Sequence, residues 1–309
     1  MIRETQTAPV SDVDPFCREF FEDPFAAHEE LREAGPVVRL SRYGVLAVAR
    51  YAEVHTVLND WQTFCSSRGA GLTDFAKEAP WRPPSLVLEV DPPLHNRTRR
   101  VLNRVLSAAT IQGLRERFAQ EADALVDDLV ERGGFDAITD LAEAYPLKVF
   151  PDAMGMPRDN RHFLLPYGNM VFNAFGPRNE FFEQAVADAE PVLSWLRRQM
   201  QRDAFAPGGF GAAIHAASDT GELTPEEAPI VARSLLSAGS TRRSAAWVPR
   251  SIVWHASPSS SLVCERSLRW PVPRSRKRCG MRARCRLFSG PLPVQPRSAA
   301  CRSTRARRC

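Results

Sequence analysis

The 309 residues are 44% hydrophobic, enough for a sizeable core, and carry a formal net charge of +5. That charge is unequally divided. Residues 240–309 hold 17 of the 41 basic residues but only Glu265 of the 36 acidic ones, leaving residues 1–239 with 24 basic against 35 acidic, a net of −11. No apolar signal core follows Met1 and no run of about 18 apolar residues exists, so no membrane partner is expected and the body is expected to be soluble and cytoplasmic.

Phe25 to Ala34 reads as a short amphipathic helix closed by Gly35-Pro36. Val37–Leu40 and Val45–Ala49, about the turn Ser41-Arg-Tyr-Gly44, give a hairpin signal. Tyr51 to Asn59 returns to a helical pattern. Ser66 to Val90 is irregular, rich in Pro, Gly and Ser, and of a length that favours a functional or disordered loop. From Pro93 to Gln201 the chain is mostly helical, with breaks expected at Gly133-Gly134, Pro151, Met156-Pro157 and Gly176-Pro177. His215 falls in a short helix. Thr224, Pro225 and Glu227 form a capping-box start, with Ile230, Val231, Leu235 and Ala238 recurring at helical spacing. The body is therefore mainly α with a small sheet near its start.

Cys17 and Cys65 stand in the body as expected free thiols, and Cys264, Cys279, Cys285, Cys301 and Cys309 in the tail, at spacings that fit no zinc or redox pattern. His28, His55, His162 and His215 are isolated, as surface or helix-packing histidines are. The stretch most specific for chemistry is Asp91-Pro-Pro-Leu-His95-Asn-Arg-Thr-Arg99. His95 and Arg99 stand four apart on one helical face, where two donors suit a ligand carrying carboxylates. On spacing alone, a basic surface helix with solvated Arg97, Arg99, Arg100 and Arg104 explains it as well.

Asp-Pro-Pro-x-His-x-x-x-Arg resembles the heme-propionate helix of bacterial cytochromes P450. Arg233-Ser-Leu-Leu-Ser-Ala-Gly239 resembles the start of that family's central oxygen-activating helix. The resemblance spans residues 1–239 and implies the N-terminal portion of the P450 fold. It further implies a heme b cofactor with His95 and Arg99 on its propionates and Ala238-Gly239 against its face. It also implies monooxygenase activity fed by an iron–sulfur ferredoxin, for which Arg97, Arg100 and Arg104 offer a docking face or merely a solvated one.

Within the family, the loop run Trp81-Arg82-Pro-Pro-Ser85-Leu-Val-Leu88 together with Arg233-Ser234 resembles the demethylases of para-substituted benzoates. By that likeness Arg82, Ser85, Arg233 and Ser234 hold the carboxylate of a small aromatic acid. Leu88, Phe172 and Phe175 line its ring. Without the likeness, structural ion pairs at Arg82 and Arg233 and core packing for the two phenylalanines describe the same residues.

After Gly239 the family pattern stops. The acid–Thr pair, the Glu-x-x-Arg pair and the Phe-x-x-Gly-x-x-x-Cys-x-Gly loop that supplies the iron's thiolate do not follow, so the chain is expected to be catalytically silent. A one-base slip at Gly239–Ser240 accounts for this. Reading each codon's third base with the next codon's first two makes Asp-Thr-Thr encodable across Ser240 to Arg243 and Glu-x-x-Arg across Arg274 to Leu292. Some steps are forced: because a Trp codon ends in G, Trp247 before Val248 gives Gly, and Trp254 before His255 and Trp270 before Pro271 give Ala. The tail 240–309 is then no domain and is expected to be disordered. The rival reading, a basic arm for nucleic acid, finds no aromatic interleaving or periodicity in Arg274 to Arg286, so no specific nucleic-acid partner is expected.

Overall fold

The structure, a computed structural model, describes residues 8–239; residues 1–7 and 240–309, with the tail discussed above, lie outside the described residues. A three-stranded sheet opens the chain. Strand β1 (Val10–Ser11) runs parallel to β2 (Val38–Leu40), which pairs antiparallel with β3 (Val45–Ala47) in the register Val38↔Ala47. The hairpin is the expected one, and Gly44 closes it at φ 63, in the left-handed region where glycine carries no Cβ penalty. Strand β1 was not expected, because two residues carry no period of their own and become a strand only through pairing with distant β2. Helix α1 (Arg18–Glu22) and α2 (Phe25–Ala34) follow, the latter burying Leu31 against Val38 and Leu40. Helix α3 (Tyr51–Asn59) precedes the long irregular segment.

The larger core begins with α4 (Leu94–Val105), whose inner face is Thr98, Val101, Leu102 and Val105. It continues through α5 (Ala108–Glu131), a π-helical stretch (Ala137–Glu143), α6 (Ala144–Met154), α7 (Leu164–Asn173), α8 (Glu180–Ala189), α9 (Leu193–Gln199) and α10 (Phe210–Asp219). Helix α11 is helical from 227 to 239, where the described residues end. No helix among the described residues is long and apolar enough to cross a membrane.

Pro151 does not break the chain as expected, because it sits inside α6. The stop lies at Gly155, at φ 83, with Met156 N–H donating to Pro151 O at 2.9 Å and Gly155 N–H to Asp152 O at 3.1 Å. These two bonds form a Schellman closure. Buried Arg161 completes the end of the helix. It donates to Lys148 O (3.1 Å), Met156 O (2.6 Å) and Pro157 O (2.8 Å), and pairs with Asp152 at 2.6 Å. One guanidinium thus ties a carbonyl within α6 to two carbonyls just beyond its end and to the Asp152 carboxylate. His215 is likewise a packing residue. Its Nε2 lies 3.0 Å from Met200 O, and burial pulls its pKa below the usual histidine value.

The capping box at α11 forms as the sequence predicts. Thr224 N–H donates to Glu227 Oε2 at 2.9 Å, and Glu227 N–H to Thr224 Oγ1 at 3.3 Å. The buried stripe differs from the expected one. Ala228, Val231, Ala232 and Leu236 are buried, Ile230 and Leu235 are half-buried, and Ala238 is exposed. The inner face thus holds two alanines beside Val231 and Leu236, and a reading by apolar bulk passes over the alanines. Thr224→Ala is expected to lower stability by about 1 kcal/mol, the usual worth of an N-cap hydroxyl, checked by denaturant melts of the two chains.

Candidate functional site

The irregular segment is stitched to the helical core at four places. Asp91 accepts from Ser66 N–H at 2.8 Å and Ser67 N–H at 3.1 Å, so the motif's acid ties the start of the segment to the start of α4. Leu72 N–H donates to Phe175 O at 2.9 Å. A Cβ on Gly71 would stand 2.7 Å from the Phe175 backbone, an approach only glycine permits. Farther on, Arg233 Nη2 donates to Pro83 O at 2.8 Å, and the hydroxyls of Ser85 and Ser234 lie 2.9 Å apart.

The hydroxyl pair has a defined polarity. Ser234 has one proton, and it goes to Ile230 O at 2.9 Å, one turn back on α11. Ser85 therefore donates to Ser234, while its own oxygen accepts from Val87 N–H and Leu88 N–H, each at 3.2 Å. The loop and the helix are thereby aligned at the positions the sequence singled out.

Charge at this place is unequally shared. Arg82 Nη1 and Nη2 bind the two oxygens of Glu89 at 2.8 and 3.2 Å, with side-chain exposures of only 11% and 4%. Arg82 also lies 5.3 Å over the Trp81 ring, a cation–π contact, and donates to Pro83 O at 3.0 Å. Its charge is already met. Half-buried Arg233 is not met in this way, since no carboxylate among the described residues forms an ion pair with it. Burial pulls its pKa down, Tyr167 and Glu89 raise it, and Arg82 lowers it further. It remains the cation of the site.

Glu89 escaped the sequence reading. The available signal was a single carboxylate within the apolar run Leu86-Val-Leu-Glu-Val90, since a buried acid needs a cationic partner. Phe172 and Phe175 are brought together at the end of α7, ring centroids 6.5 Å apart and tilted by 59°. Phe175 is half-buried, while Phe172 and Leu88 are exposed among the described residues.

On α4, His95 and Arg99 share one side, flanking the buried face at Leu102. Half-buried His95 makes a long contact of 3.4 Å to Asn96 Oδ1, and Arg99 is exposed without an ion pair among the described residues. An imidazole and a guanidinium on adjacent turns, neither committed to a carboxylate, fit a group bearing two propionates. Gly239 and Ala238 part company. Gly239 is buried, and a Cβ on it would stand 2.1 Å from the Phe150 ring, whereas Ala238 is exposed.

Arg97 and Arg104 are ion-paired to Glu227 and Glu222, clamping α4 to the start of α11. Of the three expected docking arginines, only Arg100 has no ion pair among the described residues. No group of three His, Cys, Asp or Glu there could hold a metal ion. The two thiols described are free: Cys65 is exposed, and Cys17, half-buried, donates to Asp14 O at 3.3 Å and is pushed up in pKa by burial.

No family model matches the chain. Among curated proteins, cytochrome p450 CYP199A2 of Rhodopseudomonas palustris is 61% identical over 232 residues, covering 75% of this chain and 56% of that protein. Erythromycin C-12 hydroxylase of Saccharopolyspora erythraea is 30% identical over 219 residues, 68% of this chain and 52% of that protein. In fold, the chain matches the solved structure of epothilone D-bound cytochrome P450epoK with a TM-score of 0.66 at 22% identity, covering 83% of this chain and 67% of that one. The chain spans just over half the length of these two curated relatives. With the hairpin, the long segment, the His95–Arg99 helix and the aligned α11 in family order, the chain belongs to the cytochrome P450 family and carries the N-terminal portion of its fold.

Proposed function

We propose that the parent of this chain is a heme-thiolate monooxygenase of a small aromatic carboxylic acid, with oxidative O-demethylation of a methoxybenzoate as its sharpest form. One observation carries the reading: the Ser85–Ser234 hydroxyl pair stands beside Arg233, a half-buried cation without an ion-paired carboxylate among the described residues. A benzoate carboxylate needs one charge and a hydroxyl donor, with apolar walls along the ring; on binding, Ser85 would turn its single proton from Ser234 to the carboxylate, while Ser234 keeps its bond to Ile230 O. Arg82 braces that end, and Leu88, Phe172 and Phe175 supply apolar surface for the ring.

Heme b, when bound, supplies the oxygen chemistry. His95 and Arg99 would hold its propionates, and Ala238 and Gly239 would stand at its face. An iron–sulfur ferredoxin would deliver electrons, meeting Arg100 rather than the ion-paired Arg97 and Arg104. Calorimetric titration of the full chain with benzoate and with neutral benzamide tests the carboxylate reading. Benzoate is expected to bind at least about tenfold tighter, since a charge-assisted bond exceeds a neutral one by more than 1 kcal/mol. Equal binding of the two contradicts it.

The chain as it stands fits a non-catalytic remnant, because none of its tail cysteines lies in a thiolate loop. We attribute the segment 240–309 to translation one base out of frame, a reading supported by the forced Trp codons and the Arg-rich composition. An independent read of the gene across the codons for Gly239 and Ser240 decides its origin. A restored frame makes the tail a sequencing artefact, and an unchanged read makes it a genuine product.

A further inference from the structure

We propose that Glu89 is the positioning and specificity-determining residue of the carboxylate end, limiting it to a ligand with a single negative charge. The inference rests on the aromatic-acid reading above and adds to it a residue and a charge rule. Glu89 is 5% exposed, and a carboxylate so buried is tolerated only when fully partnered. Three donors meet it: Arg82 Nη1 at 2.8 Å, Arg82 Nη2 at 3.2 Å and Ser85 N–H at 2.6 Å.

The two-pronged bond fixes the plane of the Arg82 guanidinium, and the third bond fixes the backbone of the residue whose hydroxyl meets Ser234. Glu89 thus sets both the brace and the hydroxyl pair while leaving any ligand to other groups. Glu89 cancels Arg82, so Arg233 alone gives the end its net charge of about one positive unit. Both members of the pair act on Arg233, Arg82 lowering its pKa and Glu89 raising it, after the larger effect of burial. A monoanion is matched there. A second carboxylate at the same end of the ring would be half-buried without a counter-charge.

The test is calorimetric titration of the full chain with benzoate and with benzene-1,2-dicarboxylate, which places two carboxylates at one end. The unaltered chain is expected to prefer benzoate by about tenfold or more, and Glu89→Gln to close or invert that gap, because the amide keeps the shape and leaves Arg82 uncancelled. Arg82→Gln shifts the balance the other way. It leaves Glu89 as an uncancelled anion, weakens benzoate by about tenfold and widens the gap. The double variant Arg82→Gln/Glu89→Gln restores the original preference.

Should Glu89→Gln lose its helical circular dichroism, the Arg82→Gln arm decides alone. Benzoate binding with an unchanged gap in a folded Glu89→Gln or Arg82→Gln chain overturns the inference and leaves the carboxylate reading standing. Failure of the unaltered chain to bind benzoate overturns the carboxylate reading, and the inference with it.

Discussion

Arg233→Gln is expected to weaken benzoate binding by about thirtyfold, since a hydrogen bond to a charged group is worth roughly 1.5–3 kcal/mol and each 1.4 kcal/mol is tenfold. Glutamine retains a donor toward Pro83 O, so the bond that ties the loop to α11 has a partial substitute and the melt should shift little. The discriminating control is neutral benzamide. If Arg233 acts by charge, benzamide affinity stays within about twofold while benzoate falls, because only the anion loses a charge-assisted partner. A parallel loss of both ligands would instead mean that the substitution loosened the loop. Titration calorimetry of the two chains with the two ligands gives the answer.

Arg161→Ala is expected to produce the largest loss of stability, about 3–5 kcal/mol, the range for removing one member of a buried ion pair. The substitution strips the bonds from Lys148 O, Met156 O and Pro157 O and removes the closest cation from Asp152. Arg117 remains 2.9 Å from that carboxylate, which keeps the loss from being larger. At roughly 2–4 °C per kcal/mol for a body of this size, the melting temperature should fall by about 10 °C. Arg158 supplies the contrast: its side chain is 76% exposed and lies 3.9 Å from the same Asp152, so Arg158→Ala should change stability by less than about 0.5 kcal/mol. Comparable losses in the two variants would show that the helix end does not depend on Arg161.

Much of the fold was legible because its signals are local. The bounds of Phe25–Ala34 and Tyr51–Asn59, the turn at Gly44 and the Thr224–Glu227 capping box follow from periodicity, turn chemistry and one reciprocal hydrogen-bond pattern. What escaped depends on distant partners. β1 is a strand only against β2, and Pro151 stays within α6, whose end is closed at Gly155 and tied to distant Arg161. The inner face of α11 holds Ala228, Val231, Ala232 and Leu236, so apolar bulk alone did not pick it out. In the site, resemblance located Ser85, Ser234 and Arg233, and the structure brings them together. Resemblance placed Arg82 on the ligand, whereas the ion pair offered as the alternative at Arg82 is the one found, its partner Glu89 being buried by tertiary packing.

On the reading proposed above, this chain carries carboxylate-binding residues of a P450 and lacks the loop that would supply the iron's thiolate. The most direct measurement is the reduced carbon-monoxide difference spectrum of the full chain after reconstitution with heme. The expected result is no red-shifted Soret band of the thiolate type, because Cys17 and Cys65 lie outside any such loop and the five tail cysteines follow none of its pattern. A clean thiolate-type band from this same polypeptide would contradict the account.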